Sequence, residues 1–307
     1  MKSVLITGVT GFIGRYVARE FAENGWRVIG TGTRAPENAP VEHLESYHQL
    51  TLPSQALGQI VEQAGPQVCV HCAGRASVGL SFNNPEADFS SSVEITFNLL
   101  NFLRIYAPKC RTVFLSSAAV YGNPEALPVS EDLNPRPISP YGFHKLMCET
   151  LCTEFFRIFG LPTIIVRIFS SYGVGLRRQV LWDLCLKAFT NSSLHLQGTG
   201  SESRDFIHVH DAARALYLLA EKAPGEAEVF NLGSGTETTI KQLAELIVAE
   251  IGNEISISFD GINPKGNPLN WKADIRRITE LGFIPETPIE AGIKNLVNWC
   301  RMEIVEE

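Results

Sequence analysis

The chain has 307 residues, of which 45% are hydrophobic and 19% charged, and a formal net charge of −7 at pH 7. That length suits one large α/β domain or two lobes, and an acidic balance without a basic block argues against a nucleic-acid partner. No basic leader precedes Ser3-Val4-Leu5-Ile6-Thr7 and no apolar run approaches membrane-spanning length, so the expectation is a cytoplasmic protein with no membrane attachment.

Val4-Leu5-Ile6 reads as a short buried strand. Gly8-Val9-Thr10-Gly11-Phe12-Ile13-Gly14 then opens a helix with Ile13, Val17 and Phe21 on one face and Gly25 as its stop. A strand, a glycine turn and a helix start let the backbone approach a pyrophosphate and meet its charge with amide N–H groups. The next strand, Arg27 to Thr31, ends where a carboxylate would bind the ribose 2′-hydroxyl of NAD; Gly32, Thr33 and Arg34 stand there instead. A missing acid beside a guanidinium favours NADP as the cofactor, with NAD as the alternative. A solvated loop residue is the competing reading of Arg34.

The order continues with a weak third strand inside Val41 to Leu52, a helix from Ser54 to Ala64, a strand from Gln67 to Cys72 and a long helix from Asp88 to Tyr106. A strand from Arg111 to Leu115, a helix from Tyr141 to Phe159 and a strand from Pro162 to Phe169 follow. Strands alternating with helices imply a doubly wound parallel sheet of the Rossmann type. Seven cysteines spread over the chain do not form a disulfide framework. Cys69-Val70-His71-Cys72 lies in a strand, where residues three apart face opposite sides, so buried thiols are expected there and no metal site.

Two pieces carry the chemistry. Ser116-Ser117-Ala118-Ala119-Val120-Tyr121-Gly122 ends an apolar run, which puts two hydroxyls at the C-terminal end of a buried strand, where open α/β sheets place ligands. Ser139-Pro140 reads as an N-cap and first helical residue, starting a helix that carries Tyr141 and Lys145 on one face. A cation beside a phenol favours its ionised form, which suits Tyr141 to act as a general base while Ser117 holds the substrate oxygen. A Tyr and a Lys on a plain solvated helix face are the alternative.

From Ser170 onward the pattern loosens. A helix from Val180 to Thr190, a strand from Leu194 to Gln197, a glycine turn ahead of Arg204, and a helix from Ala212 to Lys222 capped by Asp211 are expected. A strand from Glu228 to Leu232, a helix from Thr239 to Ile251, a strand from Ile255 to Phe259, a Pro/Gly/Asn loop from Asn263 to Asn270 and helices at Ile275 to Leu281 and Ile289 to Arg301 complete the chain. We assign 1–170 to a dinucleotide-binding domain, with 206–235 returning to it, and 171–205 and 236–307 to a smaller C-terminal substrate-binding lobe. Arg204 is placed to pair with a substrate phosphate; a surface arginine is the competing reading.

Together these motifs resemble the extended short-chain dehydrogenase/reductases that act on nucleotide sugars. The likeness runs through Thr7 to Gly14, His71-Cys72-Ala73-Gly74, Ser116 to Gly122, Tyr141-Gly142-Phe143-His144-Lys145 and Arg204 to Asp211. It implies Ser117, Tyr141 and Lys145 as the catalytic three. Gly8, Gly11, Phe12, Ile13, Gly14, Thr33, Arg34 and Ala73, with Tyr141 and Lys145, would hold the cofactor, and Ser77, Ser117, Ser170 and Arg204 the nucleotide sugar. Dehydratases of this family carry Asp-Glu where this chain has Ala118 and Ala119, and the enzymes that epimerise at C3 and C5 carry Cys at Ala119, so redox work at C4 is what remains. Ser92 and Ser170 stand where the family usually has Asn, and its usual adenine-contacting Asp is absent near Gln49 and Leu50. The expected activity is a 4-epimerase resembling UDP-galactose 4-epimerases, with an NADPH-dependent 4-keto reductase as the alternative and a non-catalytic dinucleotide sensor as the remote one. A homodimer through the two long helices is also implied.

Overall fold

The computed structural model describes residues 2–39, 42–252, 254–262, 266 and 268–305. Its centre is a seven-stranded, wholly parallel sheet. Five strands and their crossover helices come from the first half: β1 (Ser3–Thr7), α1 (Phe12–Glu23), β2 (Arg27–Gly32), β3 (Ser46–Gln49), α2 (Ala56–Ala64), β4 (Val68–His71), α3 (Val78–Asn83), α4 (Pro85–Phe89), α5 (Ile95–Tyr106) and β5 (Arg111–Ser117). α6 (Pro140–Phe159), β6 (Thr163–Ile168), β7 (Ser170–Tyr172), α7 (Gln179–Thr190), β8 (Ser193–Leu196), β9 (Ser203–His208), α8 (Val209–Lys222) and β10 (Glu226–Leu232) follow. β11 (Glu237–Thr239), α9 (Ile240–Ile251), β12 (Ser256–Phe259), α10 (Arg276–Glu280) and α11 (Ile289–Val305) end the described chain.

The sheet order is β10-β6-β5-β4-β1-β2-β3. The chain therefore reverses direction between β1 and β4, and the crevice at the C-terminal ends of those strands is where a doubly wound sheet binds its ligand. Alternation along the strands fills both faces. Val4 and Ile6 join α1 and α8 in one core, whereas Leu5, Cys69 and Phe114 join α2, α5 and α6 in the other. Cys69 and Cys72 face opposite cores, as the strand period requires.

A third core joins α7, α9 and α11 with β8, β9 and β12. Two small sheets support it, β11-β9-β7 and β12-β8. The three-stranded one was not expected, because β7 and β11 are three residues each and carry no readable period. The helix expected from Ala212 starts earlier. His208 is the cap, and Asp211 lies within the first turn, its carboxylate accepting from Glu286 N and Thr287 N at 3.2 and 2.9 Å. The long helix expected from Asp88 is interrupted by a π turn at Ser90–Glu94. Of the expected third strand, Val41 lies outside the described residues, as do Asn263, Pro264, Lys265 and Asn267 of the expected loop.

Candidate active site

Three glycines shape the first wall. Gly8 has φ +68° and sits so close to the end of β4 that a Cβ would stand 2.7 Å from Ala73 N; at Gly14 a Cβ would overlap Gly8 O. Gly11 N donates to Gly8 O at 2.9 Å, closing the turn. α1 then begins with no side-chain cap and no acid in its first turn, so its leading N–H groups are left for an external anion. The close approach at Gly8 and Gly14, with Ala73 against the turn and the uncapped amides of α1 beside it, makes a cradle that suits a dinucleotide pyrophosphate. Behind it, Thr7 Oγ1 accepts from Ala73 N at 3.3 Å and lies 2.6 Å from His71 Nδ1. At the end of β2, Gly32 is closed in by Thr10 and Tyr47, while Thr33 and Arg34 are exposed. The Arg34 guanidinium makes no hydrogen bond or ion pair to any described residue.

The second wall follows from the end of β5. Ser117 Oγ accepts from Ala119 N at 3.2 Å and starts a 3₁₀ turn, Ala118–Tyr121. Across from it, Ser139 Oγ accepts from Gly142 N at 3.2 Å and Pro140 occupies the first helical position, as the sequence implied. Gly142 explains the contact between the two pieces. A Cβ there would lie 2.6 Å from Ala119 O, so only glycine lets the first turn of α6 press against the turn that follows Ser117. That approach brings Tyr141 into one cluster with Ala118, Ala119, Phe169 and Trp271.

Lys145, one turn along, donates to Leu115 O at 2.8 Å and places its ammonium 5.9 Å from the centre of the Tyr141 ring. Both side chains are 7% exposed. The Tyr141 hydroxyl has no hydrogen-bond partner among the described residues, yet it is not among the polar atoms sealed from solvent, so it is open to an incoming ligand. A phenol with an unspent donor, a buried cation behind it and a strand-end hydroxyl nearby is an arrangement for moving a proton to and from an alcohol.

The outer residues are more dispersed. Ser77 caps α3 by accepting from Leu80 N at 3.3 Å. Ser170 starts β7 directly after Phe169, half-buried and without a side-chain bond among the described residues. Arg204 donates to Ser203 O and Leu269 O at 2.7 and 3.2 Å and lies 5.5 Å from the Trp271 ring centre. Burial pulls its guanidinium down to about 10, with the Glu202 charge opposing, and no carboxylate among the described residues forms an ion pair with it. Trp271 was not anticipated. Its Nε1 donates to Gly122 O at 3.1 Å and its ring packs on Phe169, so it joins Arg204 to the cluster holding Tyr141.

A second unanticipated group lies beneath. Glu149, one further turn along α6, takes Arg167 Nε and Nη2 at 3.0 and 2.7 Å and Ser116 Oγ at 2.5 Å. Arg167 Nη1 reaches Tyr121 Oη at 2.9 Å, which donates to Asn231 Oδ1 at 2.7 Å. The spacing Tyr141, Lys145, Glu149 was the available sequence signal, three residues four apart on one face.

The glycine cradle at the switch point of a doubly wound sheet and the phenol-ammonium pair beside the end of β5 define a nicotinamide-dinucleotide enzyme of the extended short-chain dehydrogenase/reductase type. The chain belongs to the NAD dependent epimerase/dehydratase family, whose profile matches residues 4–233. Among its relatives is the UDP-glucuronate 4-epimerase of Thermodesulfobacterium geofontis, 29% identical over 99% of this chain and 98% of that protein. Solved structures similar to it include MoeE5 in complex with UDP-glucuronic acid and NAD, with TM-score 0.89, 28% identity and coverage of 98% and 99% of the two chains. The UDP-glucose 4-epimerase of Thermotoga maritima with UDP-glucose has TM-score 0.87, 28% identity and the same coverage.

Proposed function

We propose that the protein is a nucleotide-sugar 4-epimerase that uses NAD and takes a UDP-sugar. The observation that carries this is the open Tyr141 hydroxyl backed by buried Lys145 at the end of β5. Tyr141 takes the proton of the sugar 4-hydroxyl and returns it, Lys145 stands behind its ring with the ammonium 5.9 Å from the ring centre, and Ser117 holds the same oxygen. When bound, the nicotinamide supplies the reversible hydride acceptor for C4. A ketone made this way is reduced on its other face after the sugar turns. Arg204, which forms no ion pair with a carboxylate among the described residues, pairs with the diphosphate, and Ser77 and Ser170 serve the sugar side.

NADP is favoured only by Gly32 to Arg34, where a guanidinium and no carboxylate follows β2. Against it stand the two MoeE5 complexes, 28% and 27% identical, which carry NAD. Residues 1–170 with 206–235 serve the dinucleotide, and 171–205 with 236–307 serve the sugar. The UDP-sugar 4-epimerase relatives also favour epimerisation over net 4-keto reduction.

The test is incubation of the purified protein with UDP-glucose and, separately, UDP-glucuronic acid, followed by NMR of the anomeric protons. Interconversion of the C4 epimers without net dinucleotide consumption is expected, and Tyr141→Phe should lower it by about 10²-fold or more while leaving dinucleotide binding intact. Net use of added NADPH with a 4-keto sugar, and no interconversion, would replace the epimerase reading by the reductase. Mass identification of the dinucleotide released on denaturation decides between NAD and NADP.

A further inference from the structure

Directly after the last glycine of the cradle comes Arg15, which the reading above leaves without a role. Its guanidinium lies 6.0 Å from the Phe12 ring centre and 5.0 Å from that of Tyr16, a packing that holds a cation in place. Nη2 donates to the carbonyl of Val174, and Tyr16 Oη donates to the same oxygen at 2.9 Å. Val174 belongs to the short segment that leaves β7 and leads into α7.

That segment is built for close approach. Gly173 and Gly175 have φ +147° and +88°. A Cβ on Gly173 would stand 2.7 Å from Val209 Cγ1, and one on Gly175 would overlap the Arg15 guanidinium. The next residues tie the segment onward, with Leu176 buried and Arg177 paired with Glu303 of α11. The stretch is thus fastened at one end to the dinucleotide helix and at the other to the core around α7, α9 and α11. Arg15 Nη1 is left over: it makes no hydrogen bond to any described residue and, unlike Nε, is not among the polar atoms sealed from solvent. A cationic N–H in that state, one residue past a pyrophosphate cradle, suits an anionic oxygen brought by a ligand.

We propose that Arg15 is a positioning residue that couples dinucleotide binding to the Gly173–Gly175 segment, fastening the segment through Val174 and offering its unspent donor to the dinucleotide phosphate. A segment held this way slows release, which an enzyme that regenerates its dinucleotide every cycle requires. The inference rests on the dinucleotide alone. A chain that failed to epimerise would sink the proposed function and leave this one standing.

The experiment is titration of dinucleotide-stripped protein with NADH, read by nicotinamide fluorescence well below the melting temperature, with the release rate from stopped-flow chase. Arg15→Gln should raise the Kd about tenfold or more and speed release. Gly175→Ala keeps Arg15 but puts a methyl where its guanidinium lies, and should move both quantities the same way. Tyr16→Phe, which removes one of two donors to Val174 O, should have a smaller effect, and Arg15→Lys should recover part of the loss. Wild-type affinity in both Arg15→Gln and Gly175→Ala, with only thermal stability reduced, would make the contact merely structural. A loss in Arg15→Gln with none in Gly175→Ala would equally overturn the coupling, since Arg15 would then act without the segment.

Discussion

His71 shows how one buried side chain can serve the cofactor wall without touching it. Its Nδ1 lies 2.6 Å from Thr7 Oγ1 and its Nε2 3.3 Å from Thr96 Oγ1, so a single imidazole joins the residue before the glycine turn to α5. Burial, with the Lys145 charge as the second cause, lowers its pKa to about 3. The unfolded chain protonates this group near 6.5, so between those values the unfolded state binds more protons. The stability His71 contributes is fully present above about pH 6.5 and is lost as the pH falls toward 3. His208, lowered to about 4 mainly by burial, acts in the same sense. Urea unfolding should therefore show a loss on the order of 2–3 kcal/mol from His71 between pH 6.5 and 4.5. His71→Gln should be less stable than the wild type at pH 7.5 but have a shallower acid slope; equal slopes would mean that the imidazole is charged or wet in the folded protein.

At the scale of elements, α6 is the piece on which the site depends, and two features set its place. Ser139 supplies the cap, so Ser139→Ala should cost about 1 kcal/mol. Glu149 and Arg167, each 4% exposed, form a bidentate pair that also takes in Ser116 and Tyr121. Removing one partner strands a buried charge, so Glu149→Ala should cost about 3–5 kcal/mol in urea unfolding. A loss under 1 kcal/mol would mean that water reaches Arg167 and the pair does not hold the helix. The cap, the start of α6 and the phenol-ammonium face were legible in the sequence because they depend on neighbours in the chain. The ion pair and Trp271 were not, since their partners stand 18 and 149 residues away. Asp211 misled for a related reason: a local capping rule was outvoted by amides at residues 286 and 287. That the sheet is parallel followed from alternation of strand and helix, whereas β7 and β11, too short to show a period, form only by pairing with β9.

On the scale of the whole molecule, the outer faces of α5 and α6 remain unexplained by one copy of the chain. Phe97 and Ile105 on α5, and Phe143, Met147 and Ile158 on α6, recur at helical spacing and are 45–70% exposed. A run of large apolar side chains on two adjacent helices is costly in water and points to a covering surface. The occupant we propose is a second copy, because a two-fold axis lets the same two helices cover themselves as a four-helix contact. Sedimentation equilibrium should then give twice 33.8 kDa for the wild type. Phe97→Glu and Ile158→Glu, made separately, should each give the single-chain mass, since every substitution enters a two-fold interface twice and sets like charges against an apolar surface. Neither should unfold the chain, because both side chains face solvent in one copy. A wild type that sediments at 33.8 kDa at micromolar concentration would remove the dimer and leave that stripe free for a different protein.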